Sequence, residues 1–136
     1  MTRQDAAKLL ALIKLSYPTA YRDIDKDTAN ATIAMWQKTF CNLPYPIMEQ
    51  AYNRYRMTHK YPPTVAEIVE ELRHIYYDAL QCAEIQKYVG RQDVINQCRL
   101  VMEYTKPYTI NTDSYSGYLL SEQIRIKSDT NEKNPI

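Results

Sequence analysis

The chain has 136 residues, which is enough for one sizeable hydrophobic core with a small subdomain or an extended tail beside it. Two glycines and a charged fraction of 24% argue against a β-sandwich or barrel, which needs many tight turns, and favour helices joined at proline-bearing corners. The formal net charge of +1 gives neither the basic field of a nucleic-acid-binding protein nor the acidic field of a DNA mimic. The composition therefore predicts an all-α protein.

Charge is spread unevenly along the chain. Residues 1–60 carry nine Lys and Arg against five acidic residues, whereas residues 61–90 carry two against five, so any basic face lies in the first half. The cysteines, Cys41, Cys82 and Cys98, are odd in number and widely spaced, which favours reduced thiols in a cytosolic protein over a disulfide framework. No run reaches the ~18 apolar residues of a membrane helix. We therefore expect a soluble, intracellular protein.

Apolar residues recur at intervals of three and four over five stretches, which is the pattern of helices that bury one face. The first stretch follows Thr2, a good N-cap, with Asp5 where a capping-box acid belongs, and it ends at Tyr17-Pro18. Trp36 and Phe40 are the only Trp and Phe, and we expect both at the centre of the N-terminal core. The predicted helices run from about Arg3 to Ser16, from Asp25 or Asp27 onward, from Pro46 to His59, from Val65 to Tyr88, and from Val94 to Thr105.

Residues 60–68 form a fixed corner between the third and fourth helices. Pro62 and Pro63 fix φ and withhold two amide donors, so an incoming helix must stop. Thr64 then caps the next helix, and Glu67 can return a hydrogen bond to the Thr64 amide, completing a capping box. The fourth helix is the longest of the five, and we expect it to extend beyond the first bundle toward the C-terminal half.

The sequence predicts three consecutive parts: an N-terminal helical domain (1–89), a C-terminal helical extension with an aromatic loop (90–126), and a tail (127–136). The C-terminal extension contains a polar loop over residues 108–117 and a short helix over residues 118–126, although the alternation at the end of that helix also fits a strand. The tail is polar and has no core residue except its last, so we expect it to be disordered in isolation.

No motif for catalysis or metal binding stands out. Asp23, Asp25 and Asp27 alternate like the opening of a calcium loop. The turn position is Thr28 and the closing position is Ala34, however, so helix capping is the favoured role. No zinc-ligand spacing, phosphate-binding glycine loop or activated Ser or Cys is recognisable. We expect a binding protein with no metal and no cofactor, and not an enzyme.

Two candidate binding regions remain. The first is an apolar and aromatic segment beyond the polar loop, whose tyrosines suit a surface that binds a protein partner. Packing of these tyrosines against the C-terminal helices is a simpler role, and stacking on nucleic-acid bases is a third alternative. The second is the basic outer face of the third helix, which is either a solvated surface or a contact for nucleic acid or an acidic partner. The candidates are Tyr115, Tyr118, Leu119, Leu120 and Ile124 for a protein partner, and Arg54, Arg56 and Lys60 for nucleic acid or an acidic partner.

Four sequence features follow one another along the first half of the chain. They are residues 9–14 followed by Tyr17-Pro18, the helix around Trp36, the helix start at Tyr45, and residues 61–68 with their Tyr-Pro-Pro-Thr-Val-Ala-Glu-Ile sequence. In this order and spacing they resemble the phage family of replicative-helicase loader and inhibitor proteins. The resemblance covers about the first 72 residues, and its Pro-Pro-Thr signature alone also occurs in other phage replication proteins.

The resemblance implies a small all-α N-terminal domain and a C-terminal region that engages a DnaB-type hexameric helicase. Such a protein holds the helicase inactive and delivers it to an origin-bound initiator during phage DNA replication, by stoichiometric binding in the bacterial cytoplasm. This chain departs from the pattern because a further helix and an aromatic loop follow the fourth helix, where the family has a mostly unstructured tail. The target is therefore the helicase, a host helicase loader or another replication protein.

Two alternatives to a loader stay open at this point. One is a helical DNA-binding or replisome-organising module that uses Arg54, Arg56 and Lys60, whose DNA affinity would fall steeply with salt. The other is a phage inhibitor of a host replication protein, which sequence cannot separate from a loader because both act by binding.

Overall fold

The computed structural model describes residues 1–109. Within this range the chain forms five α-helices and no strand, which confirms the all-α prediction. A 3₁₀ turn follows the fifth helix directly. The elements are α1 (Arg3–Ser16), α2 (Lys26–Thr39), α3 (Tyr45–Arg56), α4 (Val65–Val89), α5 (Gln92–Thr105) and the 3₁₀ helix Lys106–Thr109.

The helix starts follow the predicted capping chemistry. At α1 the Thr2 hydroxyl accepts from the Asp5 amide at 3.0 Å, and the Asp5 carboxylate accepts from the Thr2 amide at 3.0 Å. At α2 the N-cap is Asp25, whose Oδ1 accepts from the Thr28 amide at 2.6 Å. Each cap satisfies amides that have no partner inside their own helix. The acids that alternate before α2 thus include its N-cap.

The third helix is shorter than its pattern predicts. It ends at Arg56, three residues before His59. The reason lies in two hydrogen bonds from tyrosine side chains, since the Tyr17 hydroxyl donates to the His59 carbonyl at 2.9 Å and the Tyr55 hydroxyl donates to the Tyr61 carbonyl at 2.9 Å. The backbone that follows α3 is therefore held by tertiary contacts of the core and not by a further helical turn.

The N-terminal core consists of seventeen buried residues contributed by α1 to α3, the first half of α4 and the turns between them. Trp36 and Phe40 lie inside it, 2% and 0% exposed, with ring centroids 5.8 Å apart, as the sequence predicts. Large side chains such as Tyr52 and Leu72 fill the remaining space. Burial of this much aromatic and aliphatic surface makes this cluster the main source of stability in the described residues.

The fourth helix serves two packing regions. At ~1.5 Å per residue its 25 residues extend about 37 Å. Only its first half, through Ile68, Leu72 and Ile75, contributes buried residues to the N-terminal core. Its second half packs on α5 through a cluster of three buried residues, Ala79, Ala83 and Cys98. Gly90 separates the two helices in a left-handed conformation with φ 79°, which glycine adopts without strain. We name residues 76–105 the α4–α5 hairpin.

The end of α5 and the 3₁₀ turn that follows it pack against the N-terminal core. Val101 packs against both clusters. The Tyr108 ring lies 5.6 Å from the Phe40 ring, and its hydroxyl donates to the Thr39 carbonyl at 3.4 Å. The prediction of a loop over residues 108–117 is therefore wrong for its first two residues. They belong to a 3₁₀ turn, because the Tyr108 side chain packs against Phe40 of the core. The rest of that loop lies outside the described residues, and the domain boundary after residue 89 stays a prediction.

Candidate functional site

The predicted protein-binding residues, Tyr115, Tyr118, Leu119, Leu120 and Ile124, lie outside the described residues, as do the short helix predicted over 118–126 and the tail predicted over 127–136. What the structure provides is the position from which this segment starts. Thr109 follows Tyr108, and the Tyr108 side chain contacts Phe40 and Thr39 at the C-terminal end of α2. The segment therefore begins beside α2 of the N-terminal core.

Arg54, the first of the three predicted basic contacts, is engaged within the protein. Its Nε lies 3.2 Å from Glu71 Oε1 and its Nη1 lies 3.0 Å from Asp78 Oδ2. Both acids belong to α4, so the guanidinium joins α3 to α4. Because its charge is already balanced by two carboxylates, Arg54 adds little to an electrostatic contact with DNA.

Arg56 and Lys60 are more accessible. Arg56 is the last residue of α3 and donates from Nε to Asn53 Oδ1 at 3.0 Å, a neutral partner that leaves its charge unbalanced. Lys60 is exposed in the turn that follows. Neither side chain has an acidic partner among residues 1–109. Two cations at this end of α3 thus have no acidic partner in the described residues, whereas Arg54 is paired. The binding role of all three stays a prediction.

The corner over residues 60–68 is held by hydroxyl donors from the core. Burial raises the pKa of Tyr55 to about 12, with Glu67 as the next cause, and burial also raises the pKa of Tyr17. Both phenols are therefore protonated at neutral pH, as the hydrogen bonds to the His59 and Tyr61 carbonyls require. The His59 ring stacks on Tyr55 with centroids 4.0 Å apart. The corner is consequently a rigid part of the fold.

The predicted capping box at the start of α4 is confirmed. The Thr64 amide donates to Glu67 Oε1 at 2.9 Å, and the Glu67 amide donates to Thr64 Oγ1 at 3.2 Å. Two amides at the helix start are satisfied reciprocally, which fixes the direction in which α4 leaves the corner.

A mainly apolar groove lies between α1 and α2, near the N-terminus. Its volume is about 250 Å³. Small side chains such as Ala7, Ala11 and Ala29 leave the space, and Lys14 is the charged residue on its lining. The complete lining is Ala7, Leu10, Ala11, Lys14, Tyr21, Ile24, Ala29, Thr32 and Ile33. We name it the α1–α2 groove.

One wall of the α1–α2 groove is built from strained backbone. Tyr21 has φ 58° and Asp23 has φ 63°, both in the left-handed region that costs a non-glycine residue about 1–2 kcal/mol. Tyr21 is partly buried against the N-terminal core, and burial raises its pKa. Packing of this side chain holds the connection in a conformation that places Tyr21 and Ile24 on the groove lining.

The free end of the α4–α5 hairpin exposes apolar side chains. Tyr88 is 93% exposed, Val89 65% and Ile85 53%, all at the C-terminal end of α4. Deeper in the hairpin, Cys82 and Cys98 share one cluster, and the pKa of the Cys98 thiol is raised, first by burial and then by Cys82. A raised pKa keeps the thiol protonated, so Cys98 acts as a small apolar core residue.

Residues 1–109 contain no cluster of three or more His, Cys, Asp or Glu side chains able to hold a metal ion. Over the same range, no helix combines the length and the apolar character that crossing a membrane requires.

Sequence reasoning did not identify the α1–α2 groove. A signal was present, because Ala7 and Ala11 lie one turn apart on α1 and Ala29 lies on the facing helix. Small residues on both facing helices leave a gap unless larger neighbours fill it. The helical periodicity of α1, however, is carried by its buried stripe of Ala6, Leu9, Leu10 and Ile13, and the smaller residues beside that stripe gave no separate pattern.

Comparison with known proteins identifies the N-terminal half of the chain. Residues 1–69 match a family model for the N-terminal domain of the phage helicase loader/inhibitor gp39. The match spans α1 to α3 and the corner, and it ends within the first turns of α4. No curated protein and no solved structure matches the chain. The matched range contains the features that carry the sequence resemblance, and the chain therefore belongs to the gp39 family of phage helicase loader and inhibitor proteins.

Proposed function

We propose that this protein is a phage DNA replication accessory protein that binds a DnaB-type hexameric helicase in the host cytoplasm, holds it inactive and loads it at the origin. The observation that carries the proposal is the family match over residues 1–69. The action is stoichiometric binding, with no catalytic residue and no cofactor of its own. The helicase-contacting residues are Tyr115, Tyr118, Leu119, Leu120 and Ile124, and a phage origin-binding initiator or a host loader is the second partner.

Two structural features support this assignment of roles. The matched domain is rigid at its corner, where tyrosine hydroxyls and a capping box fix the chain. Tyr108 then packs on Phe40 of the core, seven residues before Tyr115, the first of the proposed contact residues. A fixed scaffold followed by an apolar and aromatic segment is a suitable arrangement for a binding protein, because aromatic anchors contribute much of the energy at protein interfaces.

The DNA-binding alternative loses support from the two salt bridges of Arg54. Arg56 and Lys60 would remain as phosphate contacts, and two such contacts give only weak, salt-sensitive affinity. A filter-binding or anisotropy titration at low salt distinguishes this alternative, because a DNA-binding module would lose affinity when Arg56 and Lys60 are replaced by Gln.

The direct test of the proposal is co-elution with an ATP-bound DnaB-type helicase. We expect the full chain to co-elute with the helicase and a chain ending at Thr109 not to do so. The two chains should have the same thermal unfolding midpoint, because the truncation leaves the core intact. The cut follows Thr109 because Tyr108 contacts the core. Undiminished binding by the truncated chain would refute the placement of the binding segment.

A substitution pair refines that test. Replacing Tyr118, Leu119 and Leu120 together by Ser should weaken binding by more than about tenfold, since buried apolar anchors commonly contribute more than 1 kcal/mol each. The matched control replaces the polar residues Asp129, Thr130 and Asn131 by Ala, and we expect no change. Equal losses in the two triple variants would contradict a specific role for the apolar segment.

Loader and inhibitor activities separate in a helicase assay. We expect the protein to lower ATP hydrolysis by the helicase until a fixed stoichiometric ratio is reached, and addition of the origin-bound initiator to restore it. Inhibition that the initiator does not relieve would identify an inhibitor and not a loader.

A further inference from the structure

We propose that residues 118–126 dock in the α1–α2 groove of their own chain and so withhold Tyr118, Leu119 and Leu120 from the helicase until it competes for them. The proposal rests on the proposed function for the identity of the partner. It adds a regulatory contact between the binding segment and the N-terminal domain.

The α1–α2 groove is suited to a few apolar side chains of a peptide. Leu10, Ile24 and Ile33 provide its apolar surface, and the alanines of both helices leave its floor low. Its volume of about 250 Å³ is below the ~300–1,000 Å³ of sites that enclose a whole small-molecule ligand. Leu119 and Leu120 of the segment are side chains of the appropriate size and polarity.

The segment can reach this groove. The chain passes Tyr108, whose hydroxyl contacts the Thr39 carbonyl at the end of α2. Ile33 of the groove lies on the same helix, about 9 Å back along its axis at ~1.5 Å per residue. The residues that join Thr109 to Tyr118 span up to about 30 Å when extended, at ~3.3 Å per residue. The extended linker is therefore several times longer than this axial distance.

Magnitudes favour the protein's own segment over a separate partner. Burying about two leucine side chains supports an affinity no better than the millimolar range, once the cost of association is included. A peptide in free solution would rarely reach that concentration. A segment joined to the groove-bearing domain by a short linker in the same chain experiences an effective concentration in the same millimolar range, so docking within one chain is appreciably populated.

Charge at the groove is compatible with this occupant. Lys14 lies on the lining and forms no ion pair among residues 1–109. The segment carries Glu122 between its two apolar groups, Leu119-Leu120 and Ile124. A carboxylate placed there can approach the Lys14 ammonium while the leucines enter the groove.

The test is a comparison of backbone amide spectra, and it needs no helicase. We expect the ¹⁵N-labelled full chain and a chain ending at residue 117 to differ at Ala7, Ala11 and Ala29, with the difference independent of protein concentration. Unchanged groove signals, or changes confined to the exposed end of α4, would overturn the proposal. A difference that appears only at high concentration would place a second copy in the groove and also overturn it.

A matched pair of α1 variants checks the site. Ala11→Phe fills the groove from an exposed position, so in this variant removal of residues 118–136 should no longer change the groove signals. Leu15→Phe lies one turn later, is 77% exposed and is outside the groove lining, so it should behave like the unmodified chain. Equal behaviour of the two variants would refute docking in this groove.

The helicase measurement then separates this inference from the proposed function. Release of the segment by Ala11→Phe should tighten helicase binding by about two- to tenfold, because apparent affinity scales with the fraction of chains whose segment is free. If the full chain binds no helicase but the amide spectra show docking, the proposed function fails and the intramolecular contact stands. If Ala11→Phe and Leu15→Phe bind helicase with the affinity of the unmodified chain, the regulatory role is refuted.

Discussion

The N-terminal core and the α4–α5 hairpin share one helix but are stabilised to different degrees. The N-terminal core buries seventeen residues, including Trp36, Phe40, Tyr52 and Tyr55. The cluster within the hairpin buries Ala79, Ala83 and Cys98, all of them small. Because hydrophobic stabilisation scales with the apolar area buried, one end of α4 is held far more strongly than the other.

This difference has a dynamic consequence. Regions with few large buried side chains open locally at a lower free energy than the whole protein needs to unfold. We therefore expect amide exchange to be fast at the free end of the hairpin, around Gly90, and slow in the first half of α4. We therefore expect one long helix to be rigid at the family-matched corner and to open more easily at the far end.

The largest expected effect concerns the N-terminal core. Phe40→Ala removes a fully buried ring that contacts Trp36 and Tyr108, and it should lower the free energy of unfolding by about 3–5 kcal/mol. Urea denaturation followed by Trp36 fluorescence measures the change. Met35→Ala, at a half-exposed position on α2, the helix that Phe40 caps, is the control, and a similar loss there would contradict the assignment of the core.

The next effect concerns the corner. Tyr55→Phe removes the hydroxyl that donates to the Tyr61 carbonyl, which should cost about 1–2 kcal/mol. Tyr61→Phe, at an exposed side chain, should cost nearly nothing. An equal cost in both variants would mean that the Tyr55 hydrogen bond contributes nothing specific to the corner.

The same residue gives a pH dependence. Tyr55 loses its proton near pH 10 when unfolded but near pH 12 when folded, so its contribution to stability is complete below pH 10 and is lost as the pH rises toward 12. Urea midpoints between pH 9 and 11 should fall more steeply for the unmodified protein than for Tyr55→Phe. Parallel curves for the two proteins would show that the phenol is not buried as described.

A smaller effect belongs to the hairpin. Gly90→Ala places a side chain at φ 79°, where no neighbouring atom lies within 4 Å of the added Cβ, so the cost is backbone strain alone, about 1 kcal/mol. Gly90→Asn should recover much of it, since asparagine tolerates this conformation. Amide exchange should accelerate in the hairpin and stay unchanged in the N-terminal core. Acceleration throughout the protein would contradict the separation of the two regions.

The smallest effect is electrostatic and also lies in the hairpin. Hydrogen bonds from Arg91 hold the pKa of Asp93 at about 2, against its ordinary value of 3.8. A lowered folded pKa stabilises the protein above pH 3.8, and that stabilisation is lost as the pH falls toward 2. The urea midpoint of Asp93→Asn should therefore depend less on pH in this range. Because the pair is exposed, 1 M salt should remove the difference between the variants.

Much of the fold was predictable because its determinants are local. Capping residues at Thr2 and Thr64, prolines at the corner and Gly90 after α4 each act within a few residues, and they placed the helix ends closely. The end of α3 and the position of Tyr108 were predicted wrongly because both depend on contacts across the fold. The Tyr17 hydroxyl reaches His59, and the Tyr108 ring reaches Phe40, over distances in sequence that periodicity cannot show.

The candidate site was less predictable for the same reason. The spacing of Arg54 and Arg56 indicated a basic face, but only the packing of α3 on α4 places Glu71 and Asp78 around Arg54. The α1–α2 groove likewise results from how two helices and a strained connection meet. Family membership, by contrast, was evident from sequence, since the residues that carry it lie within the matched range.

The division of roles between a stable N-terminal scaffold and a C-terminal binding segment is tested most directly by one binding titration. A DnaB-type helicase with ATP is titrated with the full chain and with the chain ending at Thr109, with sedimentation or light scattering as the readout. We expect a saturable complex for the full chain and none for the truncated chain, although the truncated chain should keep the Trp36 fluorescence of a folded core. Equal affinities for the two chains would place the helicase contact on residues 1–109 and contradict the account.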